Sequence, residues 1–130
     1  MVRTLGIDFG TKRVGLALSY GTLAEPHCVV NNDEAIFAHI QQIILDEGVQ
    51  QLICGISEGE MAVKTKQFAT QLHLYTKLPL DFVDETLSSQ SVRAKLGVRR
   101  TVNRRDSVDH FAAAEILQEW LDMQSAKEYA

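Results

Sequence analysis

The chain has 130 residues, with 45% hydrophobic and 23% charged residues, which is ordinary for one soluble globular domain. Two cysteines are too few for a disulfide framework or a zinc site, and no apolar run approaches the ~20 residues that span a bilayer. We therefore expect a single domain over residues 1–130 with a frayed tail from about 124. No signal peptide precedes the first strand, so we expect a cytoplasmic protein with no membrane partner.

The net charge of −4 is unevenly distributed along the chain. One segment between positions 93 and 105 contains several basic residues and no acid: Arg93, Lys95, Arg99, Arg100, Arg104 and Arg105. An acidic body that carries one basic segment can use that segment to hold phosphate groups, although a solvated loop would have the same composition.

The first half of the chain predicts three strands and a helix. Residues 3–9 and 14–19 have strand patterns and are joined by a turn-rich segment, and residues 27–31 follow a loop that contains Pro26. Asn32 or Asp33 can cap a helix that ends near Gly48. The apolar residues of this helix recur at helical spacing: Ile36, Phe37, Ile40, Ile43 and Ile44.

The second half predicts alternating strands and helices. Strands are expected at 51–56 and 80–85, and helices at 60–77, 88–96 and 107–123. Two of these helices have apolar stripes. The stripe of the helix at 60–77 is Met61, Phe68, Leu72 and Tyr75. The stripe of the helix at 107–123 is Ala113, Ile116, Leu117, Trp120 and Leu121. Three leading strands followed by strand–helix units predict an α/β fold with a mixed sheet and helices on its faces.

Acidic residues occur at three places where packing alone would not require them. Asp8 lies inside the first strand between Gly6 and Gly10, rather than in the turn, where an Asx-type bond would place it. Asp84 and Glu85 end the strand at 80–85, and strand alternation allows at most one of them to share a face with Asp8.

The third acid, Asp109, lies four residues before Ala113 and therefore extends the buried stripe of the last helix toward the sheet. Asp106 is a candidate N-cap of that helix, and Asp109 would then also be favourable to the helix dipole in its first turn.

Carboxylates that converge in an apolar core need a cation to neutralise them. Mg²⁺ or Mn²⁺ prefers carboxylate and water ligands, and two such ions can activate water and stabilise the leaving oxygen in phosphodiester hydrolysis. The glycines beside Asp8 leave room for a phosphate backbone, and Lys12 and Arg13 in the adjacent turn can contact it. The sequence therefore predicts a two-metal nuclease site.

Three motifs together resemble the YqgF family, which is similar to Holliday junction resolvases and is described as maturing the 5′ end of pre-16S ribosomal RNA. They are Gly6-Ile-Asp-Phe-Gly-Thr-Lys-Arg-Val-Gly-Leu-Ala17, Asp84-Glu-Thr-Leu-Ser-Ser89 and Asp109-His-Phe-Ala-Ala-Ala-Glu-Ile-Leu-Gln118. The resemblance implies a ribonuclease H-like fold: a five-stranded mixed sheet, its first three strands antiparallel, with helices on both faces. It assigns Asp8, Glu85 and Asp109 as metal-binding catalytic acids and Asp84 as a supporting neighbour.

The resemblance also implies the partners: precursor ribosomal RNA or branched DNA, and ribosomal precursor particles. The oligomeric state expected is a monomer or a weak homodimer. The chain departs from the family in having Thr86 where the second motif usually has arginine, Ser57 where a proline is common, and Tyr20 where an acid often follows Ser19.

Two other functions are compatible with the sequence. A nucleic-acid-binding factor with weak or no catalysis could keep the fold and the acids, and Thr86 in place of arginine favours it. A serine hydrolase is the remote alternative, because Gly55-Ile-Ser-Glu-Gly59 follows a strand, and Asp84 and His110 follow Ser57 in triad order.

Overall fold

The computed structural model describes residues 2–84 and 110–128 and contains one five-stranded sheet. The strands are β1 (Thr4–Asp8), β2 (Arg13–Tyr20), β3 (Leu23–Asn31), β4 (Gln51–Ile56) and β5 (Leu80–Asp84). The helices are α1 (Ile36–Glu47), α2 (Glu60–Thr76) and α3 (His110–Glu128). The predicted order of elements is confirmed for these residues, while the helix predicted at 88–96 lies outside them.

The sheet is mixed, in the order β3-β2-β1-β4-β5. β1, β2 and β3 pair antiparallel, whereas β4 pairs parallel with both β1 and β5. This is the predicted α/β arrangement with an antiparallel first half. Because β1, β4 and β5 run in the same direction, their carboxyl ends, at Asp8, Ile56 and Asp84, share one edge of the sheet.

The two faces of the sheet bury two different cores, so the helices are divided between them. Leu5, Ile7, Leu52 and Cys54 point toward α1 and α2, whose buried residues include Ile40 and Leu72 in the same cluster. On the opposite face, the alternate strand residues pack against α3, in a cluster of Ala17, Ile53, Val83, Ala113, Ile116 and Leu117. The prediction of helices on both faces is confirmed.

The predicted apolar stripes of the first and last helices are confirmed, but that of α2 is partly wrong. Met61 and Tyr75 are 39% and 50% exposed, whereas Thr65 and Ala69 are buried with Phe68 and Leu72. Ala69 lies between Phe68 and Leu72 in the same core, and its small side chain lets α2 pack close to the sheet. A small residue of this kind is easily missed when apolar positions are read from the sequence.

β3 is longer than predicted, because it includes Pro26. The register against β2 shifts where Leu16 pairs with Cys28 and Ala17 with Pro26, so His27 is the extra residue of a bulge. Proline has no N–H to donate, but β3 is an edge strand, where that donor is not required by a second neighbour.

Two helix ends also differ from the sequence prediction. Ala35, not Asn32 or Asp33, is the N-cap of α1, and Asp33 instead accepts a bond from the Ala35 N–H at 3.0 Å through its Oδ1. At the other end of the chain, α3 continues to Glu128, past the predicted end at 123. Gly48 ends α1 in the left-handed conformation, with φ +68°, as expected for a C-terminal glycine.

α3 lies almost directly on β1 at Gly6. A Cβ at this position would lie 2.7 Å from Leu117 Cβ and 3.2 Å from the Ala113 carbonyl oxygen. Neither atom can move aside by a side-chain rotation, because the Ala113 oxygen belongs to the backbone and the Leu117 Cβ is bonded directly to it. The absence of a side chain at Gly6 therefore sets the distance between the last helix and the central strand.

Gln118 sets the direction of α3 over the sheet. Its Oε1 accepts a bond from the Ala24 N–H at 2.8 Å, and its Nε2 donates to the Thr22 carbonyl at 2.9 Å. These residues lie at the β2–β3 turn, next to the Thr4 end of β1. The start of α3, at His110, consequently lies toward the Asp8 end.

We predict that Gly6→Ala costs about 1–3 kcal/mol of stability in urea denaturation, because α3 must move away from β1. The only tryptophan, Trp120, belongs to α3 and packs against the core between α3 and the sheet. Its fluorescence should therefore change in the folded variant when α3 moves. Gly48→Ala is the control: a Cβ there meets nothing within 4 Å, and its positive φ costs about 1–2 kcal/mol without moving α3. An unchanged Trp120 spectrum in Gly6→Ala would contradict the prediction.

Candidate active site

Asp8 is a nearly buried carboxylate at the carboxyl end of β1. Its side chain is 9% exposed, and Ile7 and Phe9 on either side belong to the core beneath α1 and α2. Strand alternation therefore gives Asp8 the same face as Gly6, toward α3. Gly15, directly opposite Asp8 on β2, contributes no side chain to this face.

The turn after Asp8 is held by Asn32, a residue that the sequence analysis considered only as a helix cap. Its side-chain Nδ2 donates to the Gly10 carbonyl at 2.9 Å, and its backbone N–H donates to the Lys12 carbonyl at 2.9 Å. These bonds join the β1–β2 turn to the end of β3. A polar residue immediately after a strand was the only sequence signal for this role.

Lys12 and Arg13, the predicted phosphate contacts in this turn, are both exposed. Their side chains make no hydrogen bond or ion pair to any residue within 2–84 or 110–128. They are therefore accessible to a ligand at the Asp8 edge. The functional assignment of both residues remains a prediction.

Asp84 ends β5 at the same edge of the sheet as Asp8, but alternation gives it the other face. Ile7 of β1 pairs with Cys54 of β4, and Cys54 pairs in turn with Phe82 of β5. The carboxyl ends of β1 and β5 therefore lie at the same height in the sheet, separated by β4. Val83 belongs to the cluster beneath α3, so Asp84 takes the face of α1 and α2. Asp84 is exposed, whereas Asp8 is not.

Several predicted site residues lie outside the described residues, and the structure does not test them. They are Glu85, Thr86, Arg93, Lys95, Arg99, Arg100, Arg104, Arg105, Asp106 and Asp109. Within residues 2–84 and 110–128 no group of three His, Cys, Asp or Glu side chains could hold a metal ion. Of the predicted acids, the described structure thus includes Asp8 and Asp84 alone.

The serine-hydrolase triad is not assembled among the described residues. Ser57 directly follows β4 and is half-buried, and its hydroxyl makes no hydrogen bond to His110 or Asp84. His110 starts α3 and packs its ring at 4.6 Å from that of Phe111. Its buried Nδ1 makes no hydrogen bond within the described part of the chain.

The cysteines do not contribute to the site. Cys54 is fully buried in the core of the α1 and α2 face, where it packs as a small apolar residue. Cys28 lies in β3, where burial raises the pKa of its thiol. A raised pKa disfavours the thiolate, which is the reactive form of cysteine.

The model of the RuvX family, described as Holliday junction resolvase, matches residues 2–123. The chain belongs to the RuvX family. It is 33% identical to a candidate pre-16S rRNA nuclease of Sulfurihydrogenibium sp., over 94% of this chain and 91% of that protein. It is 36% identical to one from Maridesulfovibrio salexigens, over 92% and 98%. These matches confirm the resemblance to Holliday junction resolvase-like proteins and pre-16S rRNA nucleases.

The fold is also that of a solved resolvase. A structure of T. thermophilus RuvC in complex with a Holliday junction substrate matches with a TM-score of 0.59 and 15% identity, over 96% of each chain. At this identity the match establishes the fold alone, and it confirms the predicted ribonuclease H-like arrangement. No helix within residues 2–84 and 110–128 is long and apolar enough to cross a bilayer.

We predict that Asn32→Ala speeds amide hydrogen exchange in residues 9–13, because the turn loses its bond at Gly10. Exchange followed by mass spectrometry on a peptide from this turn measures the effect. Asn31→Ala is the matched control, since Asn31 is exposed and its side chain makes no hydrogen bond within the described residues. Equal exchange rates in the two variants would show that the side-chain bond does not order the turn.

Proposed function

We propose that the protein is a metal-dependent endonuclease that hydrolyses phosphodiester bonds of structured nucleic acid, with precursor 16S rRNA as the first substrate to test. The observation that carries the proposal is Asp8, a nearly buried carboxylate at the shared edge of the parallel strands, with Gly15 opposite. The RuvX family description and the names of the relatives support a nuclease role. Branched DNA is the second substrate class, supported by the same family description.

Asp8 fits the role of a ligand for Mg²⁺ or Mn²⁺. A carboxylate is the hard oxygen ligand these ions prefer, and Asp8 is held on a strand rather than a mobile loop. We propose that Asp8, Glu85 and Asp109 together hold two ions, with Asp84 and Asp106 as supporting acids.

The alternation of β5 supports Glu85 over Asp84 as the second ligand. Val83 faces α3, and Asp8 lies on that same face. The sequence predicts a strand at 80–85, and in such a strand Glu85 would share the face of Asp8 while Asp84 takes the other. The carboxylate of Asp84 would then contribute charge near the site without binding the ions directly.

The protein's own groups would orient the substrate around this centre. Bound ions supply activation of water for attack on phosphorus and neutralisation of charge on the leaving oxygen. Lys12 and Arg13 are exposed in the turn beside Asp8 and would hold flanking phosphates. The basic segment of residues 93–105 would bind phosphates further along the strand, which accounts for its charge in an acidic protein.

We propose that the protein acts in the cytoplasm on ribosomal precursor particles, as a monomer or a weak homodimer. A binding factor without catalysis is the second candidate, favoured by Thr86 in place of the arginine usual in the family. The two candidates differ in a single measurable property, cleavage of the bound strand.

We predict that the protein cleaves precursor-like rRNA, single-stranded RNA or four-way DNA junctions in Mg²⁺ or Mn²⁺ and stops in EDTA. Asp8→Asn should lower the cleavage rate by at least about 100-fold. Mutation of residues that only hydrogen-bond to metal ligands costs about 10–100-fold, and loss of a ligand itself should cost more. Asp81→Asn is the control, an exposed carboxylate on the opposite end of β5. Cleavage that persists in Asp8→Asn would reject the mechanism, and binding of all substrates without cleavage would favour the binding factor.

A second prediction ranks the remaining acids. Glu85→Gln and Asp109→Asn should each abolish cleavage as fully as Asp8→Asn, whereas Asp84→Asn should reduce it by no more than about 100-fold. Initial rates at saturating Mn²⁺, together with thermal unfolding of each variant, separate loss of catalysis from loss of folding. If Asp84→Asn proved as inactive as Asp8→Asn while Glu85→Gln stayed active, the assignment of the second ligand would have to be exchanged.

A further inference from the structure

An open groove lies on the opposite face of the sheet from Asp8. It has a volume of about 470 Å³ and lies between the β1–β2 turn, the residues before α1, and α2. This volume is in the range of small-molecule sites. All of its lining residues belong to the described part of the chain. Among them, Asn32 also holds the β1–β2 turn described above, and none is proposed as a metal ligand.

The floor of the groove is aromatic. Phe9 and Phe68 have ring centroids 4.9 Å apart, tilted by 41°, and Phe37 packs against Phe68 at 5.5 Å. Phe68 is buried, but Phe9 and Phe37 are only half-buried and remain accessible from the groove. Accessible rings of this kind are the surface on which a planar ring stacks, and nucleobases stack on aromatic side chains with little dependence on sequence.

The rim of the groove carries hydrogen-bonding side chains that have no partner among the described residues. Lys64, Gln67 and Gln71 follow one another on the exposed side of α2, and their side chains bond to no residue within 2–84 or 110–128. Amide side chains offer both donors and acceptors, which is what the edge of a nucleobase requires.

The charge of the rim favours a base over a phosphate as the occupant. Asp33 and Glu34 are exposed acids on the side facing α2, and Lys64 is the basic residue among those that line the groove. Two carboxylates repel a phosphate group, but they accept hydrogen bonds from the amino groups of bases. Lys64 can then meet the phosphate of the same nucleotide at the groove's outer side.

The groove is continuous with the nuclease edge through a single peptide unit. Asp8 and Phe9 are consecutive, and alternation directs them to opposite faces of the sheet at its carboxyl edge. Thr11, in the turn just beyond, also lines the groove. A strand that crosses this edge can therefore have a phosphodiester on the Asp8 side and a neighbouring base on the Phe9 side.

We propose that this groove binds one unpaired nucleobase of the substrate strand, stacked on Phe9 and Phe37 and contacted by Gln67 and Gln71. The proposal rests on the proposed nuclease function and specifies its substrate: a strand with an unpaired or flipped-out base beside the cleaved bond. Extrusion of a base is least unfavourable where pairing is already broken. The groove would thus select loops, ends and junctions over regular duplex.

Binding is measured with short RNA and DNA strands that carry 2-aminopurine at successive positions, in EDTA so that a metal-dependent nuclease does not turn over. We expect fluorescence quenching at one position, and about tenfold weaker binding in Phe37→Ala and Gln67→Ala. Lys64→Ala should also weaken binding, whereas Lys66→Ala, an exposed lysine two residues along the same helix and outside the groove, should not. Gln67 is exposed, so its variant remains informative if Phe37→Ala unfolds.

Three controls identify the occupant. A strand with an abasic site at the quenched position should bind the wild type at least as weakly as the intact strand binds Gln67→Ala, because it loses the stacking contacts as well. A fully paired duplex should show no quenching. Free mononucleotides should bind more weakly than the strand, and equal affinity would overturn the claim that the strand supplies the base.

The inference and the proposed function fail in different ways. Unchanged binding and quenching in Phe37→Ala and Gln67→Ala, with Asp8-dependent cleavage intact, would overturn the groove proposal and leave the nuclease. Absence of binding to every strand, with no cleavage in Mg²⁺ or Mn²⁺, would overturn both. Quenching in the groove without any cleavage would retain base binding and reject the nuclease in favour of the binding factor.

Discussion

The contact between Gly6 and α3 determines where the functional groups of this fold lie. Because position 6 has no side chain, the Ala113 carbonyl and the Leu117 Cβ can approach the middle of β1. Gln118 holds the other part of the helix at the β2–β3 turn. Together the two contacts hold α3 at a defined place and direction over the sheet, with its start at His110 toward the Asp8 end of β1.

The two-residue period of β1 has a second consequence, since one strand end supplies both faces of the sheet. Asp8 contributes a carboxylate beneath α3, and Phe9 contributes a ring to the aromatic cluster beneath α1 and α2. Shifting the strand by one residue would exchange the two and bury Asp8 among aromatic rings. The pairing of β1 with β2 and β4 on both sides prevents this shift, so strand register protects the chemistry as well as the core.

The sequence predicted the central strands and the apolar stripes of α1 and α3 well, because most of the residues concerned are buried and they recur at regular spacing. Leu5, Ile7 and Leu16 are fully buried, and no local signal competes with that pattern. The sequence prediction was wrong where contacts with residues distant in sequence changed the local preference. Pro26 looks like a loop residue, but an edge strand with a bulge tolerates it. Met61 looks like a core residue but is exposed in the first turn of α2.

The candidate site was predictable to a different degree. Asp8 was identifiable because a charged residue within a buried strand violates the apolar pattern, and the structure places it at the sheet edge in a nearly buried position. Asn32 was not, since its bond to Gly10 joins residues that are distant in sequence and depends on the pairing of β2 with β3. The aromatic groove was hidden for the same reason, because its rings come from β1, α1 and α2.

The burial of Asp8 bears on why a nuclease would keep a carboxylate there at all. A buried carboxylate contributes less to stability than an apolar residue of similar size, even when it has a partner within the protein. The ligand role proposed for Asp8 offers a functional reason for it, because Mg²⁺ and Mn²⁺ prefer carboxylate oxygens. The same reasoning applies to the half-buried rings of Phe9 and Phe37, which expose apolar surface to water until something planar covers it. Under the two proposals, the two sides of the β1 end would bind different parts of one nucleotide strand, a phosphodiester beside Asp8 and a base beside Phe9.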